Sequence, residues 1–249
     1  MQVQPQSLQN KAVLVTGAGS GLGEATARAF GHAGCQVACV DISQAAVERI
    51  SQELEKQDVH SAGFVCDVSD SQAVFSTVQK VVERFGRLDI MVNCAAIDHT
   101  VSVEEMTVEQ WDQVIGINLR GPFLFAKAVW PHMKRQRGGH IFNVASTAAL
   151  RSWANASAYH ASKRALVGFS QALGVEGRSC GIRVTTILPG GMKTHFFDRF
   201  ADQGIPMPDP DKLQDPANVA NTIVFAAQLP AESAIQEVLI TPFHETSWP

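Results

Sequence analysis

Thr16-Gly-Ala-Gly-Ser-Gly-Leu-Gly23 places four glycines in eight residues. It follows an apolar run, Lys11-Ala-Val-Leu-Val-Thr16, and opens a segment with helical character. Gly17, Gly19, Gly21 and Gly23, with Ser20 and Leu22 between them, permit a tight turn and let the backbone approach a ligand closely. The positive end of the helix that follows favours an anion, so a pyrophosphate placed there meets both requirements. In isolation the stretch is also compatible with a plain glycine-rich turn. Its position after one apolar run and before a second argues for a dinucleotide-binding unit.

Outward from this turn, short apolar runs alternate with longer amphipathic stretches. Gln36-Val-Ala-Cys-Val40, Ala62-Gly-Phe-Val-Cys66, Leu88-Asp-Ile-Met-Val92 and His140-Ile-Phe-Asn-Val144 read as buried strands. Ile182-Arg-Val-Thr-Thr-Ile-Leu188 and Glu237-Val-Leu-Ile240 bring the expected number to seven. Continuous apolar strands suit a parallel sheet covered on both faces. Helix starts lie between them: Ser69 with Gln72, and Thr107 with Gln110, have capping-box spacing, and Asp215 precedes Pro216 as an N-cap before a first-turn proline. The expected fold is α/β, a single-domain Rossmann-type doubly wound sheet of seven parallel strands flanked by helices. Residues 1–249 read as one dinucleotide-binding and catalytic domain, with 1–10 a flexible leader and 190–214, which holds Pro206, Pro208 and Pro210, a substrate lid loop.

Composition narrows the function classes. A length of 249 residues is normal for one α/β domain, and 45% hydrophobic with 18% charged residues supplies a large core. A net charge of −4 gives no electrostatic case for nucleic acid or an anionic membrane. No apolar run approaches the roughly 20 residues that span a bilayer. The polar start, Met1 to Asn10, lacks the basic and apolar regions of a signal peptide, which points to the cytoplasm. Cys35, Cys39, Cys66, Cys94 and Cys180 are odd in number and scattered, so they read as reduced, mostly buried thiols, and no metal site is expected.

The chain has one tyrosine, Tyr159, four residues before Lys163. A phenol with a pKa of about 10 serves as an acid/base only when that value is pulled towards neutrality, and a lysine one helical turn away can do so. The pairing alone occurs by chance in many helices. Ser146, thirteen residues upstream of the tyrosine, adds to it. Asp41 follows the second apolar run, 18 residues after Gly23. A carboxylate there accepts both hydroxyls of an adenosine ribose and repels a 2′-phosphate, and no Arg or Lys lies between Thr16 and Glu24. The cofactor reading is therefore NAD(H) over NADP(H), although Asp41 also fits a solvated strand-end carboxylate.

Together Thr16-Gly17-x-x-x-Gly21-x-Gly23, Asn118, Ser146 and Tyr159-x-x-x-Lys163 resemble the compact short-chain dehydrogenase/reductases. Asp67-Val68 and Pro189-Gly190-x-x-x-Thr194 extend the resemblance, which runs from about Lys11 to Ile240. It implies a tetrad in which Tyr159 is the general acid/base, Lys163 lowers the tyrosine pKa and holds the nicotinamide ribose, Ser146 bonds the substrate oxygen, and Asn118 holds a water linked to Lys163. It also implies cofactor contacts from the glycine-rich turn, Asp41, Ile42, Asp67, Val68, Asn93, Ala95, Pro189, Gly190, Met192 and Thr194, besides Tyr159 and Lys163. Two positions depart from the family pattern: Ala96 replaces a usual glycine, and Thr185 stands where asparagine is common.

By the same resemblance the substrate pocket is lined by 97–100, 148–155 and the lid, which offer His99, Arg151, Trp153, Asn155, His195, Phe196 and Phe197. Ser146, Arg151, Trp153, Tyr159 and His195 are the expected substrate contacts; Arg151 and the histidines suit an anionic or polyhydroxylated molecule, Trp153 and the phenylalanines an apolar one. His160 is expected to face away from Tyr159, since adjacent helix positions point about 100° apart. Ala161, Ala165, Gly168 and Ala172 permit a close helix neighbour, and the family commonly forms dimers and tetramers there. The segment from Thr241 to Pro249 reads as a tail that docks. The expected function is interconversion of a secondary alcohol and its ketone. Alternatives are an NADPH-linked 3-oxoacyl reductase, a non-catalytic NAD(H)-binding sensor, or an epimerase or dehydratase.

Overall fold

In the computed structural model, which describes residues 6–198, 200 and 205–245, β1 (Ala12–Thr16) is buried throughout and is an inner strand of a seven-stranded sheet. The others are β2 (Gln36–Asp41), β3 (Ser61–Val65), β4 (Ile90–Asn93), β5 (Gly139–Val144), β6 (Ile182–Pro189) and β7 (Glu237–Ile240). They pair in parallel in the order β3-β2-β1-β4-β5-β6-β7. The order reverses between β1 and β4, so a crevice opens beyond the carboxyl ends of these two strands. This is the Rossmann-type doubly wound fold.

Parallel strands must be joined by crossovers, and these lay the helices α1 (Gly21–His32), α2 (Gln44–Glu55), α3 (Ser71–Phe85), α4 (Val108–Ile115), α5 (Gly121–Gln136), α6 (Ser157–Gly177) and α7 (Pro216–Ala227) on the two faces. Alternate β1 side chains point to opposite faces. Val13 and Val15 join Phe30, Ile50, Leu54, Val219 and Ile223 in one core layer, whereas Ala12 and Leu14 join Val74, Val78, Phe125, Val129 and Leu173 in the other. Burying an aliphatic side chain of this size contributes about 1.5–3 kcal/mol.

Thr107 and Gln110 form the expected capping box at α4, and Asp215 caps α7 by accepting from Ala217 N. At α3 the cap is Asp70, which accepts from Gln72 and Ala73 N, not Ser69. Ser69 is used instead to donate its hydroxyl to Asp67 Oδ1 at 2.7 Å. The two edge strands are also less buried than their apolar composition suggests. Exposed and covered residues alternate in β7 and along most of β3, because each has only one neighbouring strand. Thr185, at the position where asparagine is common, donates to Ile235 O at 2.6 Å and pairs with His140 Nε2 at 2.8 Å.

Within the expected leader, residues 6–10 make contacts with the sheet domain. Gln6 N donates to Gln228 O at 2.7 Å, and Leu8 is buried in the core layer beside α1 and α7. The ends of the 190–214 lid are tied together, as Lys193 N donates to Gln214 O and Gln214 N to Gly191 O. Positions 1–5 of the leader, 199 and 201–204 of the lid, and 246–249 of the tail lie outside the described residues. All five cysteines are free thiols.

Candidate active site

The crevice at the β1/β4 reversal is held open by glycine and closed beneath by hydrogen bonds. Thr16 Oγ1 accepts from Cys94 N at 3.1 Å and Ala95 N at 3.2 Å, fixing the exit of β4 to the glycine-rich turn. Gly17 has φ 65°, and a methyl on it would meet the Ala95 backbone at 3.0 Å. Ser20 heads α1 without a side-chain cap bond, and Ser20, Gly21, Leu22 and Gly23 line the cavity. An uncapped helix start beside glycines is suited to a pyrophosphate. Gly19 does not line the cavity; its N–H donates to Asp41 Oδ2 at 3.0 Å, while Asp41 Oδ1 accepts from Ser43 N at 3.0 Å. Asp41 is thereby fixed at the wall, with Ile42 beside it.

Further along the wall lie Asp67, Val68, Ala95, Ala96, Pro189, Gly190, Met192 and Thr194. Asp67 is held by Ser69, whose N–H donates to Oδ1 at 2.8 Å. Asn93 is an exception among the expected cofactor contacts. It sits beneath the wall, its amide donating to Asn143 Oδ1 at 2.8 Å, because the last residue of β4 still points into the core. These residues fit a dinucleotide: a glycine cradle that a Cβ would fill, a free helix start, and a carboxylate set at the end of β2.

The reactive end is built where α6 begins against the end of β5. Lys163 is buried and donates Nζ–H to Val144 O at 2.8 Å, with the Tyr159 ring centroid 5.6 Å from the ammonium. Burial pushes the Lys163 ammonium down to about 8. Burial also pushes the Cys94 thiol up to about 12, so it is a neutral neighbour at physiological pH. Ser146 Oγ accepts from Ala148 N at 3.1 Å, which leaves its proton to donate elsewhere. Ser146, Tyr159 and Lys163 all line the cavity.

Asn118 lies behind the wall, in the π-helical turn Gly116–Arg120 that joins α4 to α5. Its amide donates to Ile97 O at 2.8 Å and Ser162 Oγ at 3.1 Å, and its carbonyl accepts from Ile97 N at 2.9 Å. Ser162 donates in turn to Tyr159 O at 2.8 Å. One side chain therefore links the loop after β4 to the helix that carries the tyrosine.

At the far end, Trp153, Asn155, Phe196 and Phe197 line the cavity, with Phe196 and Tyr159 rings 5.6 Å apart. His195 stands on the exposed rim and bonds Asp198 Oδ2 at 2.8 Å. His99 does not line the cavity; it turns outward to Gln113 at 2.8 Å. His160 faces away as expected, between Ala148 O and Trp153 N. Arg151 lines the cavity but is already engaged by the Glu245 carboxylate of the tail. Of the segment expected at 97–100, Ile97, Asp98 and Thr100 line the cavity; Glu245 was missed, and its signal was a lone acid within an otherwise uncharged terminal segment.

One cavity of about 960 Å³ joins the glycine-rich turn to Ser146, Tyr159, Lys163 and the lid. Residues 11–204 match the family model described as short chain dehydrogenase. The chain belongs to the short-chain dehydrogenase/reductase family. It is 40% identical over 182 residues to D-threitol dehydrogenase of Mycolicibacterium smegmatis, covering 73% of this chain and 70% of that one. It is 32% identical to a 3-oxoacyl-[acyl-carrier-protein] reductase of Thermotoga maritima, over 88% and 91% of the two chains. Among solved structures, an alcohol dehydrogenase from Thermococcus sibiricus complexed with 5-hydroxy-NADP superposes with a TM-score of 0.87 at 26% identity, over 96% of this chain and 99% of that one. This family member is thus an oxidoreductase by kinship. No helix among its described residues is long and apolar enough to cross a membrane, and no group of three or more metal-binding side chains is found among them.

Proposed function

We propose that the chain is an NAD(H)-dependent oxidoreductase that interconverts a secondary alcohol and its ketone, with residues 1–249 acting as one cofactor-binding and catalytic domain. The observation that carries the reading is the single cavity that joins Asp41 and the glycine-rich turn to Ser146, Tyr159 and Lys163. NAD(H), when bound, supplies or accepts the hydride. The chain's residues handle the proton and the position of the substrate. In oxidation the Tyr159 phenolate takes the proton from the substrate hydroxyl; in reduction the phenol returns it to the carbonyl oxygen. The buried Lys163 ammonium stabilises the phenolate, since a charge in such surroundings is weakly screened. Ser146 donates its remaining proton to the substrate oxygen. Asn118 positions α6 against the loop at Ile97 and is the candidate holder of a water near Lys163.

Asp41 supports NAD(H). Its carboxylate is anchored on two backbone N–H groups and lines the cavity, where it would repel a 2′-phosphate. The nearest guanidinium on α2, Arg49, donates to Gly19 O at 2.9 Å and is committed to Glu24 and Glu53. A second reading, an NADPH-linked 3-oxoacyl reductase, draws on the Thermotoga maritima relative and on the NADP-type complex of the Thermococcus sibiricus structure. Asp41 weighs against it. The exposed face of α6 that carries Ala165, Gly168 and Ala172 is the proposed contact of a homodimer or homotetramer, and the cytoplasm the proposed location.

The reading is tested by turnover with NAD⁺ and NADP⁺ in parallel over secondary alcohols, polyols, hydroxy acids and steroids. NAD⁺-linked oxidation that Tyr159→Phe abolishes supports it. A clear preference for NADP⁺ would favour the second reading, and nucleotide binding without turnover of any substrate would favour a sensor.

A further inference from the structure

The C-terminal tail supplies a charge to the substrate end of the cavity. After β7, Gly190 N donates to Ile240 O at 2.9 Å, which brings the tail across the end of β6. Gly190 is the residue it passes; a methyl there would meet Pro242 Cδ at 2.8 Å and Thr241 Cα at 3.2 Å. The tail turns at Glu245, whose N–H donates to Pro242 O at 3.0 Å, and the Glu245 carboxylate meets the Arg151 guanidinium. Both side chains line the cavity, and both are largely covered, with 19% of Arg151 and 11% of Glu245 exposed.

Arg151 stands over the Trp153 ring, 6.0 Å from its centroid, and donates one further bond to Thr147 Oγ1 at 3.5 Å. Its Nε and Nη1 are buried and have no acceptor among the described residues. Such a guanidinium is a ready anion subsite, because its planar fork matches a carboxylate. Glu245 already neutralises this guanidinium through Nη2, which leaves Nε and Nη1 for an uncharged acceptor. Asp98, buried in the same wall, adds a second carboxylate to this end.

We propose that Glu245 is a specificity-determining residue: an internal counter-ion that occupies the anion subsite of Arg151, so that the pocket takes uncharged hydroxy compounds and excludes carboxylates. The inference rests on the proposed function only in taking this cavity as the substrate site. An anionic substrate would have to displace a covalently tethered carboxylate, whose effective concentration is high. An uncharged alcohol leaves the pair intact and can accept from the remaining guanidinium N–H groups.

The test is a titration without turnover. The full chain is saturated with NADH or NADPH, whichever binds, and its thermal midpoint is followed against 3-hydroxybutyrate or 1,3-butanediol at constant ionic strength. Glu245→Gln, which keeps the size and hydrogen-bonding of the side chain, is expected to bind the carboxylate about tenfold more tightly than the native chain. Its affinity for the diol is expected to stay within about twofold. The double variant Arg151→Gln/Glu245→Gln is expected to lose the gain. Carboxylate affinity unchanged or undetectable in Glu245→Gln overturns the proposal, as does a gain that survives in the double variant. Absence of turnover in the substrate screen, by contrast, counts against the oxidoreductase reading and leaves this titration intact.

Discussion

Lys163 shows how a single residue trades stability for chemistry. Folding lowers its proton affinity from the ordinary 10.5 to about 8, through burial. The folded chain therefore binds fewer protons than the unfolded chain between these two values, and native stability rises with pH across that window. Below about pH 8 the penalty for the buried charge is present in full, about 3 kcal/mol from the shift. Lys163→Met removes that penalty but leaves Val144 O without its donor, a cost of about 1–3 kcal/mol. In the cofactor-free protein, the stability of this variant relative to the native chain should be greatest near pH 7 and decline between about pH 8 and 10. Urea unfolding at a series of pH values measures it, and a relative stability that rises over this range would contradict the burial of a charged lysine. Asp41 makes the complementary prediction for the other end of the cavity. Asp41→Ser retains an acceptor for the turn while removing the charge, so the NAD⁺/NADP⁺ ratio of kcat/KM should fall by about tenfold, as steady-state kinetics with both nucleotides would show.

At the scale of elements, the reactive end depends on how α6 is seated. Asn118 bonds both backbone groups of Ile97 and reaches Ser162, which lies one turn from Tyr159. Asn118→Ala leaves buried polar groups unpaired and should cost about 2–4 kcal/mol of stability, with a loss in kcat larger than any change in KM. Denaturant unfolding and kinetics on the same sample separate the two effects. The central strands were legible in the sequence because burial on both faces makes their runs continuously apolar, as in β1. The edge strands were located but misjudged in burial, since composition does not say which strand has only one neighbour. Ser69 and Asp70 are adjacent residues that can both cap, and only the backbone decides between them; the structure gives the cap to Asp70. The glycine-rich turn and Tyr159-x-x-x-Lys163 were legible because their partners are close in sequence. The inward turn of the Asn93 side chain was not legible because it follows from the pleat at the end of β4, and Glu245 was missed because its partner, Arg151, lies 94 positions away.

At the scale of the whole molecule, the sheet order brings the turns after β1 and β4, the ends of β2, β5 and β6, the start of α6 and the tail to one rim. The outer face of α6 points away from that rim, and a side chain added at Gly168 would meet nothing within 4 Å in the single chain. If this face joins subunits, Gly168→Arg should shift the mass seen by light scattering towards the monomer without unfolding the chain. An unchanged mass would remove α6 as the contact. The proposed role of this cavity is tyrosine-assisted hydride transfer with NAD(H). The most direct measurement is the absorbance of reduced nicotinamide during alcohol oxidation by the native chain and by Tyr159→Phe, with nucleotide affinity measured on both. Expected are NAD⁺-linked turnover in the native chain, a loss of at least about 100-fold in the variant, and nucleotide binding within about twofold of native. Substantial turnover by Tyr159→Phe, or loss of nucleotide binding in step with activity, would contradict this role.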